Sequence, residues 1–333
     1  MSRTEAADSV PAPELAPNAG ELDEEIVPSS PVRRSGPAAR RPRLPSPGRA
    51  VAWLALGLVL LLTLVPFYLV LRTGLSNSRA LPSHADSLLP AEFTWGAFER
   101  VLGLADPEEA RAQGGSGASL YFWVYLRNSV IVATLVTVGQ VAFSTMAAYA
   151  FARLRWPGRD LVFFLFLTAM MIPPIFTMLP NFVLIKELGL LNTFAGIVAP
   201  HFFMTPFAVF FMRQFFLGIS HEIEEAARID GAGHFRIFTR IILPMSSASL
   251  ATLALLTYLQ SWNEYLWPYL VGQDENVRVL TVALSVFRQQ TPAGSPDWAG
   301  LMAATTLAAL PMVLLLLVFG RRVINSIQFS GLK

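Results

Sequence analysis

The chain has 333 residues, of which 53% are hydrophobic and 14% charged, with a formal net charge of +2 and a mean hydropathy of +0.49. A soluble domain carries about 25% charged residues, so most of this chain is built to leave water. The absence of Cys excludes disulfides, thiolate metal sites and a Cys nucleophile together, and so small a net charge excludes a nucleic-acid footprint.

Residues 1–50 hold 14 of the 48 formal charges and are rich in Pro, Ala and Ser without an apolar period. Such a segment buries too little apolar surface to offset its chain entropy and is predicted to be a disordered cytoplasmic tail. It is acidic first (Glu21, Asp23, Glu24, Glu25) and basic after (Arg33, Arg34, Arg40, Arg41, Arg43, Arg49). A basic run before an apolar span sets topology and contacts anionic lipid; docking of a regulator is the other reading. The apolar run from Val51 is too long for the core of a signal peptide and lacks its small-residue cleavage site.

A membrane-crossing helix needs about 20 apolar residues. Six stretches qualify, at about 51–72, 126–151, 161–184, 194–217, 246–270 and 299–320. They are apolar on every side, which excludes barrel strands, whose faces alternate. The predicted fold is an all-α integral membrane protein with six transmembrane helices. With both termini inside the cell, the inner segments carry 17 Lys and Arg and the outer ones 8, as the positive-inside rule requires. Residues 73–125 are then a long external loop with an acidic patch (Asp106, Glu108, Glu109) and a Gly114-Gly115-Ser116-Gly117 tract. Residues 271–298 form a second external segment, 218–244 an internal loop and 321–333 a cytoplasmic tail.

The inventory of chemistry is short. The chain has no phosphate-binding glycine loop, no H-E-x-x-H pair, and four His residues (His84, His201, His221, His234) without ligand spacing. No cofactor is expected. The spans hold almost no ionisable group for ion coupling, which weakens a proton-coupled carrier.

The internal loop, His221 to Pro244, reads HEIEEAARIDGAGHFRIFTRIILP. Ser220 can cap a short helix whose first turn holds Glu222, Glu224 and Glu225, where carboxylates suit the helix dipole. Gly231 and Gly233 should interrupt it, and a second short helix, about Phe235–Leu243, should end at Pro244. The residues alone leave two readings open: a projecting knob, or an ordinary solvated amphipathic loop.

Glu225-Ala226-Ala227-Arg228-Ile229-Asp230-Gly231-Ala232, with Pro244 beyond, resembles the cytoplasmic loop of the permease subunits of binding-protein-dependent ABC importers. Further stretches are similar to the carbohydrate branch, typified by the smaller maltose-transporter permease. They are Asn128-Ser129, Ala148-Tyr149-Ala150-Phe151-Ala152-Arg153, Met171-Ile172-Pro173, Leu188-Gly189-Leu190-Leu191-Asn192-Thr193, and Ser261-Trp262-Asn263-Glu264-Tyr265-Leu266-Trp267-Pro268. The likeness covers about residues 92–333. It departs at Ser220-His221, where the family often has Pro, and at the tail, whose Gly-rich finish is reduced to Gly331-Leu332-Lys333.

The resemblance implies a type I importer transmembrane domain over residues 126–319, in the bacterial cytoplasmic (inner) membrane. It implies pairing with a second permease as a heterodimer, separate cytoplasmic ATP-binding subunits, an extracytoplasmic sugar-binding protein, and no catalysis by this chain. Glu225, Ala226, Ala227, Asp230, Gly231 and Ala232 would then form the ATPase-coupling site, with Glu225 the polar anchor and Gly231 the bend. The rival readings are a membrane scaffold that recruits a cytoplasmic partner and a proton-coupled sugar carrier.

Asn263 and Glu264 are polar residues within the fifth span and candidates for the substrate pathway. Counted from Pro244, they fall near the outer face. Trp262, Tyr265, Trp267 and Tyr269 there read as an interfacial aromatic belt, and His201 as interfacial too. Met170-Met171 and Pro173-Pro174 are expected to mark a kinked, packed helix.

Overall fold

The structure, a computed structural model, describes residues 47–106, 108, 120–290 and 297–329. The expected tail up to residue 46, the Gly114–Gly117 tract, Glu109 and the last four residues lie outside these. The elements are α1 (Pro47–Gly74), α2 (Gly96–Leu102), α3 (Phe122–Arg153), α4 (Arg159–Thr168), α5 (Pro174–Glu187), α6 (Phe194–Phe202) and α7 (Pro206–Leu217). They continue with α8 (His221–Ile229), α9 (His234–Met245, π-helical over Phe238–Ile242), α10 (Ser247–Asn263), α11 (Leu266–Val271), α12 (Leu280–Gln290) and α13 (Trp298–Phe329).

Three helices are long and apolar enough to cross a membrane alone, within α1, α3 and α13. Three bent pairs bring the number of spans to as many as six: α4 with α5 (96°), α6 with α7 (45°) and α9 with α10 (79°). Of the six apolar stretches, 51–72, 126–151 and 299–320 fall in single helices, 161–184 and 194–217 in the first two bent pairs, and 246–270 begins at the break of the third.

Proline chemistry explains two of the breaks. Ile172 is extended and Pro173-Pro174 withdraw two consecutive N–H groups, so a single turn of 3-10 helix (Ala169–Met171) ends the helix and α5 restarts with Pro174 at its N-terminus. Pro206 opens α7 in the same way after Thr205, whose Oγ1 accepts from Ala208 N at 3.4 Å. Helix α9 likewise widens into a π turn ahead of Pro244, which has no N–H to give.

The 32-residue helix α3 is the axis of the molecule and packs against α7 and α10. It would be about 48 Å long at about 1.5 Å per residue, so its ends outreach a hydrocarbon layer of about 30 Å. Its buried residues include the small or polar Asn128, Ser129, Ala133, Gly139, Gln140, Ser144 and Ala148 beside large ones such as Phe122, Tyr125, Tyr149 and Phe151. Gln140 Nε2 donates to Thr205 Oγ1 at 2.9 Å, and Ser144 Oγ accepts from Thr205 N at 3.3 Å, so α3 stitches the α6–α7 break. A Cβ on Gly139 would lie 2.5 Å from the Phe202 carbonyl oxygen, and only glycine permits that approach.

Towards the Phe122 end of α3, Asn128 Nδ2 donates to the carbonyls of Asn276 and Arg278 at 2.9 and 3.0 Å, and Ser129 Oγ accepts from Leu280 N at 2.8 Å. Asn192, held at φ +57°, accepts from Gln273 N and Asp274 N through Oδ1. These motif residues therefore fasten the α11–α12 connection. The segment before α3, expected as part of a long external loop, is folded over residues 75–106. Its anchor is buried Asp297, which accepts from Ser78 Oγ at 2.8 Å, Arg100 Nη2 at 3.1 Å and Gly300 N at 2.8 Å.

Candidate functional site

At the Arg153 end of α3, α8 starts where Ser220 Oγ accepts from Glu222 N at 3.3 Å. It stops in a glycine C-cap, with Gly231 at φ +77°. Ala232 N returns to Ala227 O at 2.9 Å and Gly231 N to Arg228 O at 2.9 Å, satisfying the last carbonyls. Helix α9 leaves after Gly233, so the expected two-helix knob is present, its second helix reaching Met245 rather than Leu243.

The knob has two faces. Ala227, Ala232, Ile237, Phe238 and Ile242 pack inward on Tyr149, Val209, Met212 and Phe216. Outward stand Glu225, Ala226, Asp230 and Gly231, flanked by Ile229 at 87% and Phe235 at 76% exposure. Of the expected coupling residues, four therefore share the exposed face and two alanines form its underside. Two apolar side chains thus stand among charged ones on this face.

The carboxylate turned inward is Glu224, 2% exposed. Its Oε1 lies 3.0 Å from Arg153 Nε, and its Oε2 is 3.7 Å from Arg228 Nη2. Arg153 also donates from Nη2 to the carbonyls of Phe216 and, at 2.6 Å, Ile219, while Nη1 lies 3.0 Å from the His221 ring nitrogens. The sequence reading passed over this pair. Arg153 read as a topology charge at a helix end and Glu224 as a dipole-compensating carboxylate. Arg153 is the charge that closes an apolar helical run, but nothing in the sequence singles out Glu224 from Glu222 and Glu225.

A second feature lies further along α3. A cavity of about 380 Å³ is bordered by α3 (Val132, Val136, Gln140) and by three helix interruptions. These contribute Met170 and Ile172, then His201 and Thr205, then Ser261, Glu264 and Trp267. Irregular backbone at membrane depth is tolerated where it is buried in protein or lines a water-filled space. The third interruption corrects the expectation of one straight fifth helix over 246–270. The chain breaks at Glu264, whose Oε1 accepts from Leu266 N and Trp267 N at 3.1 and 3.2 Å and starts α11.

That break separates the two pathway candidates. Glu264 borders the cavity, whereas Asn263 donates to Leu259 O at 2.8 Å and stands exposed outside it. It also corrects the aromatic belt. Trp262 is buried on α10 against the Phe122 and Tyr125 cluster, and the turn at Glu264 swings Trp267 into the protein, where its Nε1 donates to Ile197 O at 3.1 Å. Tyr265 is half-buried against Ser285 and stacks on Tyr269. His201, expected at an interface, lines the cavity, and Met171, expected to be packed, is 82% exposed.

Broken membrane helices around a central helix, with a two-helix knob at one end, define a multi-pass transport protein. Residues 140–328 match the family described as binding-protein-dependent transport system inner membrane component. The chain is 32% identical over 287 residues to a probable ABC transporter permease protein, YurM, of Bacillus subtilis, covering 86% of this chain and 89% of that one. It is 38% identical over 216 residues (65% and 76%) to the arabinooligosaccharides transport system permease protein AraQ of Halalkalibacterium halodurans. The sn-glycerol-3-phosphate transport system permease protein UgpE of Yersinia pestis is 32% identical over 263 residues (78% and 89%). In fold it matches a chain from the crystal structure of a bacterial ABC transporter involved in the import of the acidic polysaccharide alginate, with a TM-score of 0.70 and 24% identity, covering 84% of this chain and 99% of that one.

The chain belongs to the binding-protein-dependent family of inner-membrane ABC transporter permeases. It is a transport subunit of systems that work with an ATPase and a binding protein.

Proposed function

We propose that this chain is one of two unlike permease subunits of an ATP-driven importer of a sugar or a related polyol. An extracytoplasmic sugar-binding protein delivers the solute, and a separate cytoplasmic ATPase receives the knob in a cleft. Glu225 is the polar anchor in that cleft, beside Ala226 and Asp230. Gly231 sets the bend, and Ala227 and Ala232 seat the knob on the membrane core. Solute passes the cavity bordered by Glu264.

One observation carries this reading: a capped, internally braced knob that exposes Ile229 and Phe235 beside a free-standing carboxylate face. A solvated loop has no use for apolar side chains held out from a rigid support. The sugar class is supported by the named substrate of the AraQ relative. Nucleotide-driven closure of the ATPase pair would move the knobs and switch access, a two-state rigid-body change biased by nucleotide.

The test is co-purification of the chain with the products of neighbouring genes, in wild type and Glu225→Ala. A desolvated, charge-assisted contact is worth about 1.5–3 kcal/mol, so Glu225→Ala should weaken ATPase docking by about one to two decades. Overproducing the ATPase should then restore the complex. If no ATPase co-purifies with the wild-type chain, the reading is wrong.

A further inference from the structure

Arg153 is the last residue of α3, and its guanidinium is withdrawn from solvent with four partners around it. Two are backbone carbonyls at the end of α7, where the helix dipole is negative and a cation is favoured. The third is His221, the first residue of α8. The fourth is Glu224, one turn into α8. The other charge near this carboxylate is Arg228, on α8 itself. Nearby, Tyr149 on α3 packs its ring against Phe216 and Phe238 at 6.4 and 5.0 Å between centroids, gripping α7 and α9 with the same stretch of helix.

The other end of this chain of contacts is the cavity. Gln140, on the same helix as Arg153, borders it about 20 Å away at about 1.5 Å per residue. Gln140 also bonds Thr205 at the α6–α7 break, and Gly139 holds Phe202 in backbone contact. A displacement of α3 along its axis is therefore felt at the cavity wall and at one of the breaks that shape it.

From this geometry we infer that Arg153 is a positioning residue that, through Glu224, makes α8 a rigid extension of α3 and so carries knob movement to the cavity. The inference rests on the proposed coupling function and adds the route. Without the pair, α8 keeps the apolar contact of Ala227 with the core and two backbone links, Gly218–Ser220 to α7 and the glycine turn to α9. Both are backbone connections with freedom to flex. The guanidinium hydrogen-bonds the two carbonyls and the His221 ring while its Nε faces Glu224 as an ion pair without a hydrogen bond, a division a lysine cannot reproduce.

The chain has no native cysteine, so a single introduced thiol reports on its own. Ser261→Cys places one at the cavity wall. In the full complex with the partner permease and ATPase, its rate of modification by N-ethylmaleimide is measured with and without ATP plus vanadate. In the Glu224→Gln complex the ATPase should co-purify in the wild-type ratio, since the exposed face is untouched. The nucleotide-dependent change in labelling rate should shrink about tenfold, within the usual range of coupling between sites. Glu224→Asp, which keeps the charge, should recover part of it. Arg153→Lys should keep the complex assembled yet lose most of the change, and it decides the matter if Glu224→Gln does not assemble. An undiminished nucleotide response in an assembled Glu224→Gln or Arg153→Lys complex overturns the inference. Failure of the wild-type chain to bind any ATPase would instead refute the function beneath it.

Discussion

Replacing Gly231 separates backbone geometry from packing. The residue sits at φ +77°, and a Cβ there would meet nothing within 4 Å, so a larger side chain pays in backbone conformation alone. The left-handed region costs an ordinary L-residue roughly 1–2 kcal/mol, less for Asn and more for a β-branched residue. Relief of that strain unwinds the C-cap and breaks the Ala232 N to Ala227 O hydrogen bond, whose net worth is about 1 kcal/mol. One or two kcal/mol shifts a local equilibrium by a factor of about 5–30. Amide exchange across residues 221–237 should therefore speed up by about that factor in Gly231→Val, somewhat less in Gly231→Ala, and least in Gly231→Asn. Equal exchange in the Val and Asn variants would refute the reasoning, because steric space does not distinguish them.

Gly139→Ala forces a Cβ to 2.5 Å from the Phe202 carbonyl and should cost about 1–3 kcal/mol, read as a lower unfolding temperature in detergent; an unchanged temperature contradicts the close approach. Asp297→Asn breaks the buried pair with Arg100, and losing one partner of such a pair costs about 3–5 kcal/mol; limited proteolysis within residues 75–106 should accelerate while cleavage elsewhere stays as before. A reporter active only in the cytoplasm should work when fused after Arg159 and stay silent after residue 280, and the reverse pattern would discard the proposed orientation. Deleting residues 2–30 should leave uptake and membrane abundance intact, since that stretch has no packing period; loss of uptake at normal abundance would show that it carries a function.

The membrane class and the knob were legible because they rest on local rules. Apolar runs of span length, Ser220 ahead of a carboxylate-rich turn, and Gly231 at the stop each determine structure within a few residues. The breaks were only partly legible. Pro173-Pro174 announced the first, but the one at Glu264 depends on a side chain that caps the next helix, and nothing in an apolar, aromatic stretch signals that the chain will turn there. A straight-helix count then put Trp262 and Trp267 at the membrane interface, although both are buried. The Arg153–Glu224 pair joins residues 71 positions apart, and its partners are set by how α3 and α7 meet, which no local pattern encodes. Several stretches that resemble the permease family have a structural use here. Asn128-Ser129 and Asn192 hold the α11–α12 connection.

The central claim is that the outward face of the knob lies in an ATPase cleft. Cross-linking tests it most directly. With a thiol introduced at Ile229 (Ile229→Cys), labelled with a maleimide-linked benzophenone that inserts into neighbouring C–H bonds on irradiation, this chain should be joined to the co-expressed ATPase, and the yield should change with ATP. Met171→Cys, equally exposed but on the α4–α5 break, should give no such product. An ATPase cross-link from position 171 and none from 229 would contradict the account.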